Sequence, residues 1–138
     1  VMKMLASIKC DLRGKDCVII GASNIVGRPM AMELLNAGAT VQVCHKGTKD
    51  IKLKTKSADV IVAAAGVANL VNSEWVKEGA VIIDVGINRL DDGTLTGDVD
   101  FEDVKGMVSA ISPVPGGVGP MTIAVLLENT FTAYKAKL

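Results

Sequence analysis

The segment with the clearest chemical meaning is a glycine-containing turn, Gly21-Ala22-Ser23-Asn24-Ile25-Val26-Gly27-Arg28-Pro29. It follows an apolar run typical of a strand and precedes a helical pattern, which is the context of a dinucleotide-binding fingerprint. Gly21 allows the tight turn from strand to helix, and Gly27 and Ala31 let the helix pack closely on the sheet. The amides at the start of that helix would face the pyrophosphate of a bound dinucleotide.

Ser23 stands where the common G-x-G-x-x-G pattern has its second glycine. A serine still leaves room for a phosphate and adds a hydroxyl donor. The turn is therefore predicted to bind a dinucleotide. The alternative interpretation is a glycine-opened turn in an α/β fold that holds a different ligand.

The next strand pattern indicates which dinucleotide the turn would accept. An NAD-binding domain usually carries Asp or Glu about 20 residues after the glycine turn, where it bonds the ribose 2′-hydroxyl. Here the segment is Cys44-His45-Lys46-Gly47-Thr48-Lys49, which has no acid and two lysines. The sequence therefore favours NADP over NAD, and a solvated charged loop is the alternative for Lys46 and Lys49. His45 is interpreted as packed or cofactor-adjacent rather than catalytic.

Two further turns, Ala64-Ala65-Gly66 and Asp84-Val85-Gly86-Ile87-Asn88, follow apolar strand patterns and would reach the same crevice. Ligands of open α/β sheets bind beyond the carboxyl ends of the strands, and small residues there allow close approach. The main chain around Ile87 could hydrogen-bond the nicotinamide ribose or carboxamide. Asp84 is interpreted as a buried carboxylate that cross-links loops, not as a catalytic group.

A loop rich in proline and glycine, Ser112-Pro113-Val114-Pro115-Gly116-Gly117-Val118-Gly119-Pro120, precedes the last helical pattern. Because it joins a strand to an amphipathic helix of the same core, we interpret it as a rigid loop that caps the crevice rather than as a linker. Thr122, in the first turn of the helix, can offer its hydroxyl to the cofactor.

The elements that must position these segments alternate between strand and helix. Apolar runs predict strands over residues 16–20, 39–44, 58–65, 79–84 and 106–111, and apolar periodicity predicts helices over 24–37 and 120–136, with shorter helical turns within 48–57 and 73–78. Asp92-Gly93 predicts a type I′ hairpin. The last helix carries one apolar stripe, which we expect to pack on the core: Ile123, Leu126, Leu127, Phe131 and Tyr134. This order predicts a doubly wound, mostly parallel α/β domain of Rossmann type over residues 1–138.

Composition narrows the functional class. Fifteen Lys and Arg balance fifteen Asp and Glu, which argues against a nucleic-acid partner. We expect no membrane span, no signal peptide, no metal site and reduced cysteines, which together predict a cytoplasmic location.

The first residues of the chain show a separate pattern. Helical spacing relates Val1, Met4, Leu5 and Ile8, and no residue precedes them to cap the helix. We therefore expect a further segment upstream.

Together these segments resemble the methylenetetrahydrofolate dehydrogenase/methenyltetrahydrofolate cyclohydrolase family, usually called FolD. The resemblance rests on residues 21–29 and on four further segments in the family's order: Val43-Cys44-His45, Val85-Gly86-Ile87-Asn88-Arg89-Leu90, Gly97-Asp98-Val99-Asp100-Phe101 and Pro113-Val114-Pro115-Gly116-Gly117-Val118-Gly119-Pro120-Met121-Thr122.

The resemblance implies a bifunctional, two-domain enzyme of one-carbon metabolism and purine biosynthesis. Such an enzyme oxidises 5,10-methylenetetrahydrofolate with NADP and hydrolyses the methenyl product to 10-formyltetrahydrofolate. The family's catalytic Tyr-x-x-x-Lys belongs to an N-terminal domain, whereas the only tyrosine here, Tyr134, has Leu138 four residues on. The chain therefore resembles the C-terminal NADP-binding domain alone. We expect it to contain no catalytic residue and to be inactive by itself.

Carried over by position, the cofactor contacts are Gly21, Ala22 and Ser23 around the pyrophosphate and ribose, Lys46 near the 2′-phosphate, Ile87 at the nicotinamide end, and Thr122 close to it. Some members have Arg in place of Ala22 and Ser in place of Lys46, so the NADP preference rests mainly on Lys46. Pro115 and Gly116 match the folate side of the loop, and the family is commonly a homodimer.

Two other functions remain open from the sequence. The first is a non-catalytic dinucleotide-binding or dimerisation module. The second is a different Rossmann dehydrogenase, which would require the match in the Pro-Gly loop to be accidental.

Overall fold

A parallel five-stranded sheet forms the centre of the computed structural model, which describes residues 1–137. The strands in chain order are β1 (Asp16–Ile20), β2 (Thr40–Cys44), β3 (Val60–Ala63), β4 (Val81–Asp84), β5 (Asn88–Arg89), β6 (Leu95–Thr96) and β7 (Ala110–Ile111). The sheet order is β2-β1-β3-β4-β7, and β5 and β6 form a separate antiparallel pair. The predicted doubly wound α/β architecture is confirmed.

Helices connect the strands on both faces of this sheet. They are α1 (Met2–Ser7), α2 (Gly27–Asn36), α3 (Ile51–Ser57), α4 (Phe101–Val104) and α5 (Val118–Lys135), with a 3₁₀ turn at Ser73–Trp75. Helix α2 ends where Gly38 adopts a φ of +86°. A glycine just past the last helical residue adopts this positive φ without the strain of a Cβ.

Two apolar layers hold the sheet. Alternate residues of the central strands point to opposite faces, so Ile19 and Val62 join a layer with Leu34 of α2, whereas Val18 and Ile61 join a second layer with Val104 of α4. All four residues of β3 are buried. Burial on both faces explains why β3 is a continuous apolar run instead of an alternating pattern.

Several boundaries differ from the sequence prediction. Helix α2 begins at Gly27, three residues later than predicted, because residues 24–26 form the turn that leads into it. Strand β3 ends at Ala63, and β7 contains only Ala110–Ile111. The chain before β7 is occupied by a turn in which the Met107 amide donates to the Val104 carbonyl at 2.9 Å.

The predicted type I′ hairpin turn is wrong. That turn needs positive φ at both central residues, but Gly93 is the only residue in this hairpin with a positive φ, +86°. The Gly93 amide donates to the Leu90 carbonyl, and the Leu90 amide donates to the Thr94 carbonyl, both at 2.9 Å. The Asp92 carboxylate accepts bonds from the Thr94 amide and hydroxyl and so stabilises the longer turn.

The apolar stripe of α5 does not pack on the core, contrary to expectation. Its members are between 58% and 66% exposed: Ile123, Leu126, Leu127, Phe131 and Tyr134. Helix α5 has no fully buried residue, and its Glu128 forms an ion pair at 2.7 Å with Lys3 of α1. The periodicity correctly predicted the helix, but the prediction that its apolar face packs on the core is wrong.

No helix within residues 1–137 is long and apolar enough to cross a membrane. In the same part of the chain, no group of three or more His, Cys, Asp or Glu side chains is arranged to hold a metal ion.

Candidate functional site

The turn after β1 lies directly against the turn after β3. Gly21 has a φ of +120°, and a Cβ at this position would lie 2.0 Å from the Ala64 carbonyl oxygen. A Cβ at Gly27 would lie 1.9 Å from the Gly21 carbonyl oxygen. Only glycine fits at either position, so the start of α2 packs onto the turn as the sequence predicted.

Four successive amides in this turn are open. Those of Ala22, Ser23, Asn24 and Ile25 donate to no other group among residues 1–137. Ser23 fixes the turn instead: its Oγ accepts the Val26 amide at 3.1 Å, and its carbonyl accepts the Arg28 amide at 3.0 Å. Open amides at the start of a helix favour an anion, and α2 has no acidic residue in its first turn. A pyrophosphate fits this cradle.

Arg28 contacts the same turn through its side chain. Its Nε donates to the Ala22 carbonyl oxygen at 3.2 Å. The sequence analysis did not single out this residue, because a charged residue in the first turn of a helix is ordinarily solvated. Only the three-dimensional contact reveals that the guanidinium returns to the glycine turn.

A second turn, after β2, presents Lys46. The Gly21 amide donates to the Cys44 carbonyl at 2.8 Å, which places the two turns side by side. His45 closes the second turn: its Nδ1 accepts the Gly47 amide at 3.1 Å, and its amide donates to Thr48 Oγ1 at 3.0 Å. The ring of His45 therefore shapes the turn, whereas Lys46 is exposed and takes part in no ion pair among the described residues.

A buried carboxylate, Asp98, organises the turn after β3. The residue is fully buried, and its Oδ2 accepts the amides of Ala65 and Gly66 at 2.5 and 2.9 Å. Its Oδ1 accepts the Val67 amide at 3.0 Å and the Asn88 side-chain amide at 2.9 Å. Four donors thus surround one carboxylate. The sequence analysis quoted this residue only within the segment Gly97-Asp98-Val99-Asp100-Phe101 and gave it no role.

Asp84 cross-links loops, as predicted. Its carboxylate accepts the amides of Gly86, Asp98 and Val99 at 2.9–3.0 Å. Burial is the largest influence on this group and raises the pKa of Asp84, while the three amides oppose that effect. A Cβ at Gly97 would lie 1.9 Å from Asp84 Oδ2, so the hairpin can reach this carboxylate only through a glycine.

The turn after β4 and the Pro-Gly loop enclose a cavity of about 80 Å³, lined by residues 84–87 and 113–120 with Leu95. The amide and carbonyl of Ile87 make no hydrogen bond with another of the described residues, and its side chain is exposed. Thr122 is the fifth residue of α5, which begins at Val118 and not at Pro120 as predicted, and its hydroxyl donates to the Val118 carbonyl at 3.0 Å. That hydroxyl can therefore only accept a further hydrogen bond.

The sheet brings most of the predicted site residues to one edge. Gly21, Ala22 and Ser23 follow β1, Lys46 follows β2 and Ile87 follows β4, all at carboxyl ends of parallel strands. Thr122 belongs instead to α5, which follows the Pro-Gly loop.

Comparison with known proteins shows one family across the whole chain. Residues 1–138 match the family described as tetrahydrofolate dehydrogenase/cyclohydrolase, NAD(P)-binding domain. The bifunctional protein FolD of Campylobacter jejuni (strain RM1221) is 64% identical over 138 residues, which cover 100% of this chain and 49% of that protein. The corresponding protein of Vesicomyosocius okutanii is 61% identical over 138 residues, which cover 100% of this chain and 50% of that protein.

Solved structures agree with this result. The crystal structure of the Campylobacter jejuni FolD enzyme superposes with a TM-score of 0.97 at 64% identity, covering 99% of this chain and 49% of that one. A Trypanosoma brucei FolD structure, complexed with NADP cofactor and inhibitor, gives a TM-score of 0.92 at 40% identity, covering 99% and 48%. The chain thus spans about half the length of the relatives it matches.

Proposed function

Because the chain belongs to the tetrahydrofolate dehydrogenase/cyclohydrolase family, in which it corresponds to the NAD(P)-binding domain, we propose that it binds NADP and holds the nicotinamide against a folate substrate. The observation that carries this proposal is the cradle of four open amides, Ala22 to Ile25, at the carboxyl end of β1. Its shape and its lack of acidic neighbours suit a pyrophosphate.

Lys46 supports NADP over NAD. A carboxylate at the end of the second strand would select the free ribose 2′-hydroxyl. Here the turn after β2 carries Lys46 and Lys49 in its place, and residues 40–49 contain no acid. An ammonium group at this position would attract a 2′-phosphate. The related Trypanosoma brucei enzyme is complexed with NADP.

Ile87 and Thr122 serve the nicotinamide half in this proposal. The open amide and carbonyl of Ile87 can each hydrogen-bond a carboxamide or ribose hydroxyl. Thr122 donates its own proton to the Val118 carbonyl, so it would accept a bond from the carboxamide NH₂ instead of donating one.

In the whole protein, bound NADP would supply the hydride acceptor for oxidation of 5,10-methylenetetrahydrofolate to its methenyl form, and that product would then be hydrolysed to 10-formyltetrahydrofolate. This chain's part is to hold and orient the acceptor, which lowers the barrier through proximity. The rigid Pro-Gly loop and the Ile87 turn would exclude water on this side of the crevice. The residues that move protons would belong to the other half of the enzyme.

We also propose that residues 1–138 form one domain of a two-domain, homodimeric enzyme that works in the cytoplasm and supplies purine biosynthesis. The curated relatives are about twice as long as this chain. The exposed apolar stripe of α5 provides a surface that further protein could cover. A non-catalytic module remains the alternative, and the coding sequence upstream of Val1 discriminates them: a Tyr-x-x-x-Lys domain favours the enzyme, and a start codon at Met2 favours the module.

Calorimetric titration of residues 1–138 with NADP and NAD tests the proposal. We expect NADP to bind more tightly and Lys46→Ala to weaken NADP by about tenfold, or ~1.4 kcal/mol, while NAD affinity is unchanged. Lys105→Ala is the charge-matched control, because Lys105 is distant in sequence and pairs with Glu102. Equal affinity for both cofactors in wild type and Lys46→Ala would contradict the NADP preference, and dehydrogenase turnover by this chain alone would contradict its assigned role.

A further inference from the structure

We propose that Arg28 is a second residue that selects NADP, and that its guanidinium binds the 2′-phosphate from the flank of the glycine turn. The inference rests on the proposed function, since it names a specificity residue of the same site. It assigns a role to a side chain that no pattern in the sequence singled out.

The first support is the anchor between Arg28 and the turn. Its Nε donates to the Ala22 carbonyl at 3.2 Å, and its main-chain amide donates to the Ser23 carbonyl at 3.0 Å. Side chain and backbone are thus both fixed to carbonyls of Ala22 and Ser23, two of the four residues whose amides are open. A guanidinium held in this way lies at the turn before any ligand binds, which reduces the entropy lost on binding.

The second support is the side of the turn on which the guanidinium lies. The peptide between Ala22 and Ser23 is trans, so its carbonyl and its N–H point in opposite directions. The Ser23 amide is one of the open donors of the pyrophosphate cradle, whereas Arg28 binds the opposite end of the same peptide. The guanidinium therefore faces away from the pyrophosphate. The phosphate of NADP that lies outside the pyrophosphate is the one on the ribose 2′ position.

The third support is the local charge. Arg28 has no carboxylate partner within ion-pair distance among residues 1–137. The next acid along the chain, Glu33, is five residues away and thus about 140° around the helix. Arg28 and Lys46 belong to adjacent turns, joined by the hydrogen bond from the Gly21 amide to the Cys44 carbonyl. In this proposal the two turns therefore place two cations, Arg28 and Lys46, and no acid beside the ribose of the bound cofactor.

The chemistry of the side chain explains why arginine suits this position. Nε is engaged by the Ala22 carbonyl, and the two terminal NH₂ groups of the planar fork make no hydrogen bond or ion pair with residues 1–137. That fork binds two oxygens of one phosphate, a geometry that a lysine does not reproduce. Ala22 itself supplies no side-chain donor, so Arg28 is the cation that this turn provides.

The test compares ligands that differ only in the 2′-phosphate. Wild type, Arg28→Ala and Arg28→Lys of residues 1–138 are titrated with NADP, NAD, adenosine 2′,5′-bisphosphate and adenosine 5′-monophosphate. We expect Arg28→Ala to weaken NADP and the bisphosphate by about tenfold and to change NAD and the monophosphate by less than about twofold. Arg28→Lys should weaken NADP and the bisphosphate by less than Arg28→Ala does. The control is Arg13→Ala, because Arg13 precedes β1 at the opposite end of the strands, and it should leave all four affinities unchanged.

Each contrary result has a defined meaning. If Arg28→Ala lowers the affinities for NADP and NAD equally, the residue serves the pyrophosphate or the fold of the turn, and this inference is wrong. Unchanged affinity for all four ligands also overturns it, while tight NADP binding by the wild type leaves the proposed function intact. A wild-type chain that binds none of the four ligands overturns both.

Discussion

The main-chain amide of Asp98 donates a 3.0 Å hydrogen bond to Asp84 Oδ1, so one buried carboxylate positions the residue that carries the other. Asp84 stands at the end of β4, and Asp98 follows the β5–β6 hairpin. The carboxylate of Asp98 in turn holds the amides of residues 65–67, after β3. Two acids thus connect three loops at the edge of the sheet where the cofactor is proposed to bind, and neither is free to act on a substrate.

Asp98→Asn should destabilise the domain strongly. Each carboxylate oxygen of Asp98 accepts two N–H groups, so the amide NH₂ of asparagine would face two donors in either orientation. Loss of two bonds to a charged acceptor predicts a decrease of about 3–6 kcal/mol in the free energy of unfolding. Urea unfolding measures this decrease. Asp91→Asn in the exposed hairpin is the control and should stay within ~0.5 kcal/mol of wild type.

Gly21→Ala should impair both stability and dinucleotide binding. The new Cβ would lie 2.0 Å from the Ala64 carbonyl, and the φ of +120° is strained for alanine. We expect a loss of more than about 2 kcal/mol in unfolding free energy and at least tenfold weaker NADP binding. Gly14→Ala separates the two causes, because Gly14 has a φ of +72° with open space around it. That variant should lose about 1 kcal/mol and bind NADP normally.

Acid should reduce the stability that the Asp59–Lys77 pair provides. The hydrogen bond from Lys77 at 2.7 Å, followed by the Asp16 amide, lowers the pKa of Asp59 below its ordinary 3.8. The unfolded chain then takes up the proton at higher pH than the folded one. The stabilisation is therefore complete above the ordinary pKa and is lost as the pH falls from there through the lowered pKa.

Lys77→Met tests this relationship, with Lys105→Met as the control for an exposed pair. Unfolding curves at pH values above and below 3.8 should show Lys77→Met less stable than wild type at the higher pH, with the difference shrinking at the lower. A difference that stays constant across this range would show that Lys77 acts through packing and not through the charge of Asp59.

The cysteines should differ in reactivity towards a disulfide reagent. Burial raises the pKa of all three thiols, that of Cys17 to about 11, so few thiolates form near neutral pH. Accessibility therefore decides which thiol reacts. Cys10 is only half-buried. We expect one thiol to react first and the other two only on unfolding. Cys10→Ser should abolish the early phase, and its persistence would mean that one of the strand cysteines is accessible.

Local signals account for the parts of the fold that the sequence predicted. The short Val- and Ile-rich runs of β1, β3 and β4 are typical of buried parallel strands, and the glycine at position 21 marks the turn between strand and helix. Both signals arise within a few residues of chain. The alternation of strands and helices then implies a parallel sheet with right-handed connections, whereas the strand order itself was not predicted.

Contacts between distant residues account for what the sequence did not predict. Asp98 and Ala65 are 33 positions apart, so no local pattern distinguishes this acid from a solvated one. The turn between β5 and β6 also differs from the predicted type I′ turn, because the Asp92 carboxylate stabilises a longer turn than the Asp-Gly pair alone implies. In α5, periodicity reveals an apolar face, but it does not identify the surface that the face contacts.

The exposed face of α5 allows a direct test of whether its apolar stripe packs on this domain. Leu126 and Leu127 are 65% and 66% exposed, whereas Leu34 of α2 is fully buried. Leu126→Gln combined with Leu127→Gln should therefore change the unfolding free energy of residues 1–138 by less than ~1 kcal/mol, while Leu34→Ala should lose about 2–5 kcal/mol. Both variants are measured by urea unfolding under the same conditions. A loss above about 2 kcal/mol in the double variant would mean that this stripe is packed against the domain in solution, as its periodicity alone had predicted.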